Sequence, residues 1–219
     1  MIKQFFFACF PVLVFSYILT TTGFSQDLAD YPLCRQIRIQ TWNLDAEVPP
    51  NIYVITQAPD NFLWLGSDKG AYRFDGIAFE AVDADSSVLG NECHSICFLQ
   101  DQSVLCGFSK GKLVRYHEGK VSVISSGQHF GESIVSAICE DPSGTVWIGT
   151  AGAGLFLFQA GIVSPFAVTD GIPAHNITSQ VAGKNGEIWA GTQEGLCRIT
   201  GRAISQYTRR EGLSHDYIL

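Results

Sequence analysis

Positive charge is scarce in this chain: 14 lysines and arginines stand against 21 acids, a formal net charge of −7. Nowhere do the cations gather into a run or stripe, so a duplex-binding surface is excluded and nucleic acid is not an expected partner. Helical periodicity is missing throughout, and there is a single methionine, so essentially no α-helix is expected beyond the first 25 residues. Only one long apolar run occurs, from Phe5 to Leu19, and about 15 residues fall short of the roughly 20 that cross a bilayer. A membrane bundle is excluded with it. Catalytic signatures are missing as well. There is no Gly-rich phosphate cradle followed by Lys-Ser/Thr, no His-Glu-x-x-His, no Gly-x-Ser-x-Gly and no paired-cysteine zinc spacing, so no catalytic residue, cofactor or metal is expected.

What is present is apolar and rich in turn residues: 46% hydrophobic, with 22 Gly, 15 Phe and 4 Trp. That rules out intrinsic disorder and favours many short strands, an all-β protein. The first 25 residues stand apart. Lys3 is their only charge, the apolar run follows, and Thr20 to Ser25 is small and polar, the grammar of a secretory signal peptide. Cleavage is expected after Ser25, which leaves Gln26 first, a formal charge of −8 and a lead-in of residues 26–37. Export predicts a periplasmic or extracellular location, where disulfides are permitted.

Self-similarity organises the rest. Trp64-Leu65-Gly66-Ser67, Leu105-Cys106-Gly107-Phe108, Trp147-Ile148-Gly149-Thr150 and Trp189-Ala190-Gly191-Thr192 share one register, their glycines spaced 41, 42 and 42. A two-residue turn precedes each string, at Asp60-Asn61, Asp101-Gln102, Ser143-Gly144 and Asn185-Gly186, where Asn and Gly tolerate the positive φ of a tight hairpin. An apolar run lies ahead of each turn: Tyr53–Gln57, His94–Leu99, Ile134–Cys139 and Ile177–Val181. Gly70, Gly111, Gly154 and Gly195 open a third strand, and glycines 76, 119, 161 and 201 precede a fourth, as in Ile77-Ala78-Phe79. Four antiparallel strands in about 42 residues is the pattern of a β-propeller blade. Four blades are expected, at about 51–83, 92–125, 133–168 and 176–208, within a propeller region 38–219 whose last segment, 209–219, starts a next blade. The chain thus reads as a partial ring.

Blade geometry sets further expectations. Innermost strands crowd near the axis, which accounts for the small columns Thr56, Cys97, Cys139, Val181 and Val54, Ser95, Ala137, Ser179. The Trp of the next strand fills the gap where blades diverge, so the second copy, with Leu105 instead, should pack less tightly. Six cysteines remain after the signal, at 34, 93, 97, 106, 139 and 197. They stand in packing columns, and equivalent positions on separate blades seldom approach within the roughly 7 Å a bridge needs. Cys93 and Cys97 are expected on one face of one strand, too far apart to bond directly. Buried free thiols are the expectation.

The strings from Thr41-Trp42-Asn43-Leu44 through Gln57-Ala58-Pro59-Asp60-Asn61-Phe62-Leu63-Trp64-Leu65-Gly66-Ser67 to Asp75-Gly76 resemble the opening of a two-component regulator propeller. Gly171-Ile172-Pro173-Ala174-His175-Asn176-Ile177 and Glu211-Gly212-Leu213-Ser214-His215-Asp216 resemble that family's linkers between blades. The resemblance implies an extracytoplasmic sensor domain of a signalling receptor, responding to an unknown small-molecule or glycan signal without catalysis. It also implies partner segments downstream: a sandwich-like domain, a membrane helix and a cytoplasmic output such as a histidine kinase or diguanylate cyclase, with a homodimer possible at full length. This stretch would then be an N-terminal fragment, tied to a membrane only through those C-terminal parts. Two other readings are a secreted binding or scaffold propeller without signalling and, as the weakest, a polysaccharide-acting enzyme.

The connections between the second and third strands share a face with the linkers between blades. That face should display Asp68, Lys69, Ser109, Lys110, Gln193 and Glu194 with the linker histidines. Asp68, Lys110, His175, Glu194 and His215 are therefore the candidate ligand-binding residues, against the plainer alternatives of solvation for the charges and turn capping for the histidines. A glycosidase would need two acids about 5 to 10 Å apart. The adjacent pair Glu140-Asp141 sits beside a turn and reads as solvated.

Overall fold

The computed structural model describes residues 51–82, 91–166 and 175–219, all within the second of two units, Pro49–Leu219. The signal peptide, lead-in, Cys34 and the Thr41–Leu44 string lie outside the described residues, as do residues 171–174 of the first linker.

Alternating short apolar runs and turn residues give sixteen strands among the described residues. The first blade holds β1 (Ile52–Gln57), β2 (Leu63–Ser67), β3 (Gly70–Phe74) and β4 (Phe79–Ala81). The second holds β5 (Cys93–Phe98), β6 (Val104–Phe108), β7 (Lys112–His117) and β8 (Lys120–Ser126). In the third are β9 (Ile134–Glu140), β10 (Val146–Ala151), β11 (Gly154–Gln159) and β12 (Ile162–Pro165). The fourth comprises β13 (Ile177–Ala182), β14 (Ile188–Thr192), β15 (Gly195–Thr200) and β16 (Ala203–Tyr207). Each blade is an antiparallel meander paired in chain order. No α-helix occurs among the described residues; one 3-10 turn, Arg209–Glu211, is held by a capping box between Thr208 and Glu211. Strand four of the first blade begins at Phe79, because the Asp75 carboxylate accepts the Ile77 and Ala78 N–H groups and holds Ile77 in the turn.

Blades meet in sequence order, each interface with its own apolar cluster. Trp64 and Ala71 of the first blade pack with Cys106, Phe108 and Val114 of the second. Leu105 and Leu113 of the second meet Ile148 and Phe156 of the third. Trp147 and Leu155 of the third meet Ile188 and Ile199 of the fourth. Burying one such side chain contributes about 1.5–3 kcal/mol. The second blade is not the loose one: all five residues of β6 are buried, and Phe130, from the connection to the third blade, joins the cluster around Leu105 and packs edge-on against Phe156 at 4.8 Å.

The glycine of each string has a steric cause. A Cβ on Gly149 would lie 2.5 Å from Ile177 Cγ2, and one on Gly66 would lie 2.6 Å from the Cys93 carbonyl oxygen. Gly107 meets Val135 in the same way. Only a residue without Cβ lets the next blade's inner strand come this close. The hydroxyl after the glycine then fixes the β2–β3-type turn: Ser67, Thr150 and Thr192 accept the N–H of Lys69, Ala153 and Glu194 and donate to the carbonyls of Gly70, Gly154 and Gly195. Phe108 lacks the hydroxyl, and Ser125 of β8 donates to the Gly111 carbonyl in its place.

The hairpin turns are longer than two residues. Ala58 N–H bonds to Phe62 O while Asn61 N–H bonds to Ala58 O, and the same pair of bonds recurs at Leu99–Ser103, Asp141–Thr145 and Gly183–Glu187. This is a three-residue loop built on a type I turn with a left-handed third residue. Positive φ falls on Asn61 (69°), Gln102 (66°), Gly144 (82°) and Gly186 (84°). Asp141 is not solvated either. It is buried, and its carboxylate accepts from Ser143, the Thr145 N–H and, at 3.0 Å, the Trp147 indole. Burial pulls its pKa up, but the bonds from Ser143, Trp147 and Thr145 outweigh that and hold it below the usual carboxylate value.

Candidate functional site

Every inner strand carries one residue too many for its partner. The register of β1 on β2 shifts between Ile52 and Val54, that of β5 on β6 between Cys93 and Ser95, and that of β13 on β14 between Ile177 and Ser179. On β9 the shift falls opposite Gly149/Thr150, between Val135 and Ala137. The extra residues are Tyr53, His94, Ser136 and Thr178, one per blade at the same point of the repeat. A bulge turns its residue out of the ladder and re-aims the side chain. Here it aims them at one place.

His94, Ser136 and Thr178 line a groove of about 290 Å³ that crosses β5, β9 and β13. Ile134, Asn176 and Gln193 complete its walls with Ala151, Ile177, Tyr217 and Leu219. Tyr53 stacks on the far side of His94, ring centroids 4.5 Å apart and planes 19° from parallel. Hydroxyls also tie the blades together here: Ser95 donates to the Val135 carbonyl at 2.8 Å, Ser136 to Ile177 at 2.5 Å and Thr178 to Ile218 at 2.7 Å. Asn176 donates to Gln193 at 3.2 Å, and Asn51 to Asp68 at 2.9 Å. At the Tyr53 end the polarity is acidic. Glu92 Oε2 lies 3.3 Å from His94 Nε2, and the Tyr53 phenol is held above its ordinary pKa by desolvation first, then by the charges of Glu92 and Asp68.

None of the five residues singled out from the sequence lines this groove. Asp68 is half-buried beside Asn51, with one carboxylate oxygen buried and without a hydrogen bond. Lys110 is exposed at a turn tip with φ 58°. Glu194 is exposed and its carbonyl accepts from Gln206. His175 is exposed, and its carbonyl accepts the Gly152 and Gly154 N–H groups. His215 accepts the Tyr217 N–H through Nδ1 at 2.9 Å, a turn cap. The two histidines do not share a register. Ile177 and Ile218 fill the same place against Gly149 and Gly191, and His175 stands two residues before the one while His215 stands three before the other. Of the expected face, Gln193 does reach the groove, and its neighbours Asn176 and Tyr217 join it.

The five described cysteines are free. Burial pushes the Cys97 and Cys197 thiols up to about 11 and that of Cys139 to about 12, so they stay protonated and unreactive. Cys93 and Cys97 face opposite ways, the first packed toward the first blade and the second toward the third, because the extra residue at His94 reverses the alternation between them.

Residues 129–152 match the family model of the two component regulator propeller, the family the strings resemble. No curated protein matches the sequence. Among solved structures, the extracellular domain of a protein assigned as a hybrid two component system of B. thetaiotaomicron superposes with a TM-score of 0.63 at 16% identity, over 76% of this chain and 24% of that one. A second extracellular domain from B. thetaiotaomicron, assigned to a one component system, gives 0.59 at 20% identity over 72% and 22%. Virginiamycin B lyase from Staphylococcus aureus gives 0.59 at 16% identity over 75% and 56%. These likenesses establish a propeller fold. The chain spans about a quarter of the length of the two extracellular domains.

Proposed function

We propose that this chain is the signal-input propeller of an extracytoplasmic receptor, and that it binds its signal, a small molecule or glycan, in the groove across β5, β9 and β13 without transforming it. One observation carries the reading: the same bulge in four blades presents four side chains of three chemistries, phenol, imidazole and aliphatic hydroxyl, and three of the four line one groove. A scaffold needs no such divergence at a repeated position. The family match and the extracellular domains among the solved structures favour signalling over a free-standing binder. Asp68, Lys110, His175, Glu194 and His215 would serve as outer contacts for a ligand larger than the groove. Lyases share the fold, so binding and turnover are to be measured together. A panel of small metabolites and oligosaccharides is titrated against the full chain by calorimetry and thermal shift, with each ligand recovered for mass analysis. The reading expects one class to bind and return unchanged, and Gln193→Trp, which fills the groove from an exposed position, to abolish that binding. Silence across the panel, a chemically altered ligand, or undiminished binding to Gln193→Trp would each overturn it.

A further inference from the structure

The groove is almost free of charge along its walls. Serine, threonine, amide and aliphatic side chains supply most of the lining, with no lysine, arginine, aspartate or glutamate among them. Histidine is the side-chain type whose charge changes between about pH 5 and 8, and His94 is the only histidine there. Its surroundings fit that use. From β1 the Tyr53 ring covers one face of the imidazole. Glu92, just ahead of β5, lies 3.3 Å from Nε2, with the two side chains 47% and 19% exposed. Asp68, in the turn after β2, adds its charge at Tyr53. From β9 and β13 the groove presents Ser136 and Thr178, which do not titrate, and Tyr217 is the remaining ionisable side chain in the wall. His94 is also the extra residue of its strand, so its side chain is re-aimed out of the regular alternation.

We infer that His94 is a proton-responsive specificity residue that sets the charge of the groove mouth and so makes its occupancy depend on external pH. This rests on the groove being the signal site. With the imidazole protonated, it pairs with Glu92 and one unit of negative charge is masked. With it neutral, Glu92 and Asp68 stand uncompensated beside Tyr53. The mouth then favours a cationic ligand above the imidazole range and loses that preference below it. An extracytoplasmic domain meets the pH of its surroundings directly, so the response would report acidity together with the signal.

The test needs no ligand. The full chain, isotopically labelled, is titrated from pH 5 to 8 while the His94 ring and the backbone amides of Ser136 and Thr178 are followed by NMR. The amides should move with the midpoint of the ring, and His94→Gln should remove that movement. Amides that titrate unchanged in His94→Gln would overturn the inference. Should His94→Gln fail to fold, the unmodified chain decides: amides of Ser136 and Thr178 whose midpoint departs from that of the ring overturn it equally. A groove that binds nothing in the ligand panel would sink the signal-site reading while these titrations stood, so the two failures are distinguishable.

Discussion

Asp141 shows how much one carboxylate can organise. Its two oxygens accept from a hydroxyl, two backbone N–H groups and an indole within six residues, which locks the third blade's hairpin to its own Trp147. Because its pKa is held below the unfolded value, the stabilisation is fully present above about pH 4, the unfolded aspartate value, and is lost as pH falls through the folded value. Asp141→Asn is expected to cost about 1–3 kcal/mol at neutral pH, the range for breaking hydrogen bonds to a buried charged group. It should also flatten the acid limb of stability. Chemical denaturation at pH 7 and pH 3, followed by tryptophan emission, measures both; a mutant with an unchanged acid limb would show that other groups carry it.

At the scale of the element, the recurring three-residue hairpin puts a left-handed residue at a fixed place, and the chain fills it with Asn61, Gln102, Gly144 and Gly186. Gln102 fits worst, since a side chain other than glycine in that region costs about 1–2 kcal/mol. Gln102→Gly should therefore stabilise the protein by up to about 1 kcal/mol after glycine's greater unfolded-state freedom is subtracted, read as a higher denaturation midpoint with unchanged slope. These turns were legible in the sequence because glycine and asparagine punctuate them, though their length was not, since proline marks the first loop position only at Pro59 and Pro142 while Gln100 and Lys184 hold it in the other two copies. The strands were legible from apolar runs and the Trp-x-Gly spacing. The groove was not. A bulge adds one residue without any composition of its own, so Tyr53, His94, Ser136 and Thr178 read as ordinary strand positions, and Cys93 and Cys97 were assigned to one face by an alternation that the bulge interrupts. Charged turn tips such as Lys110 and Glu194 drew attention instead, because exposure of charge is visible in a sequence and re-aiming of a side chain is not.

For the molecule as a whole, stability comes from neighbouring blades pressed together through their glycine columns, an arrangement whose energy is roughly a sum over adjacent pairs. Gly149→Ala places a methyl group 2.5 Å from Ile177 Cγ2 and should cost about 1–3 kcal/mol, the usual range for overpacking. Hydrogen exchange should show the loss at β10 and β13, with β2 and β3 little changed; a uniform rise across all four blades would mean that the interfaces are not independent. The same independence bears on the bulges. A bulge residue sits outside the ladder, but Ser136 and Thr178 still donate to the carbonyls of Ile177 and Ile218, so Tyr53 and His94 are the positions where a substitution should cost folding least. Four copies of one repeat offer a phenol, an imidazole and two alcohols at one equivalent position, and under the proposed reading a single substitution there alters what the rim accepts.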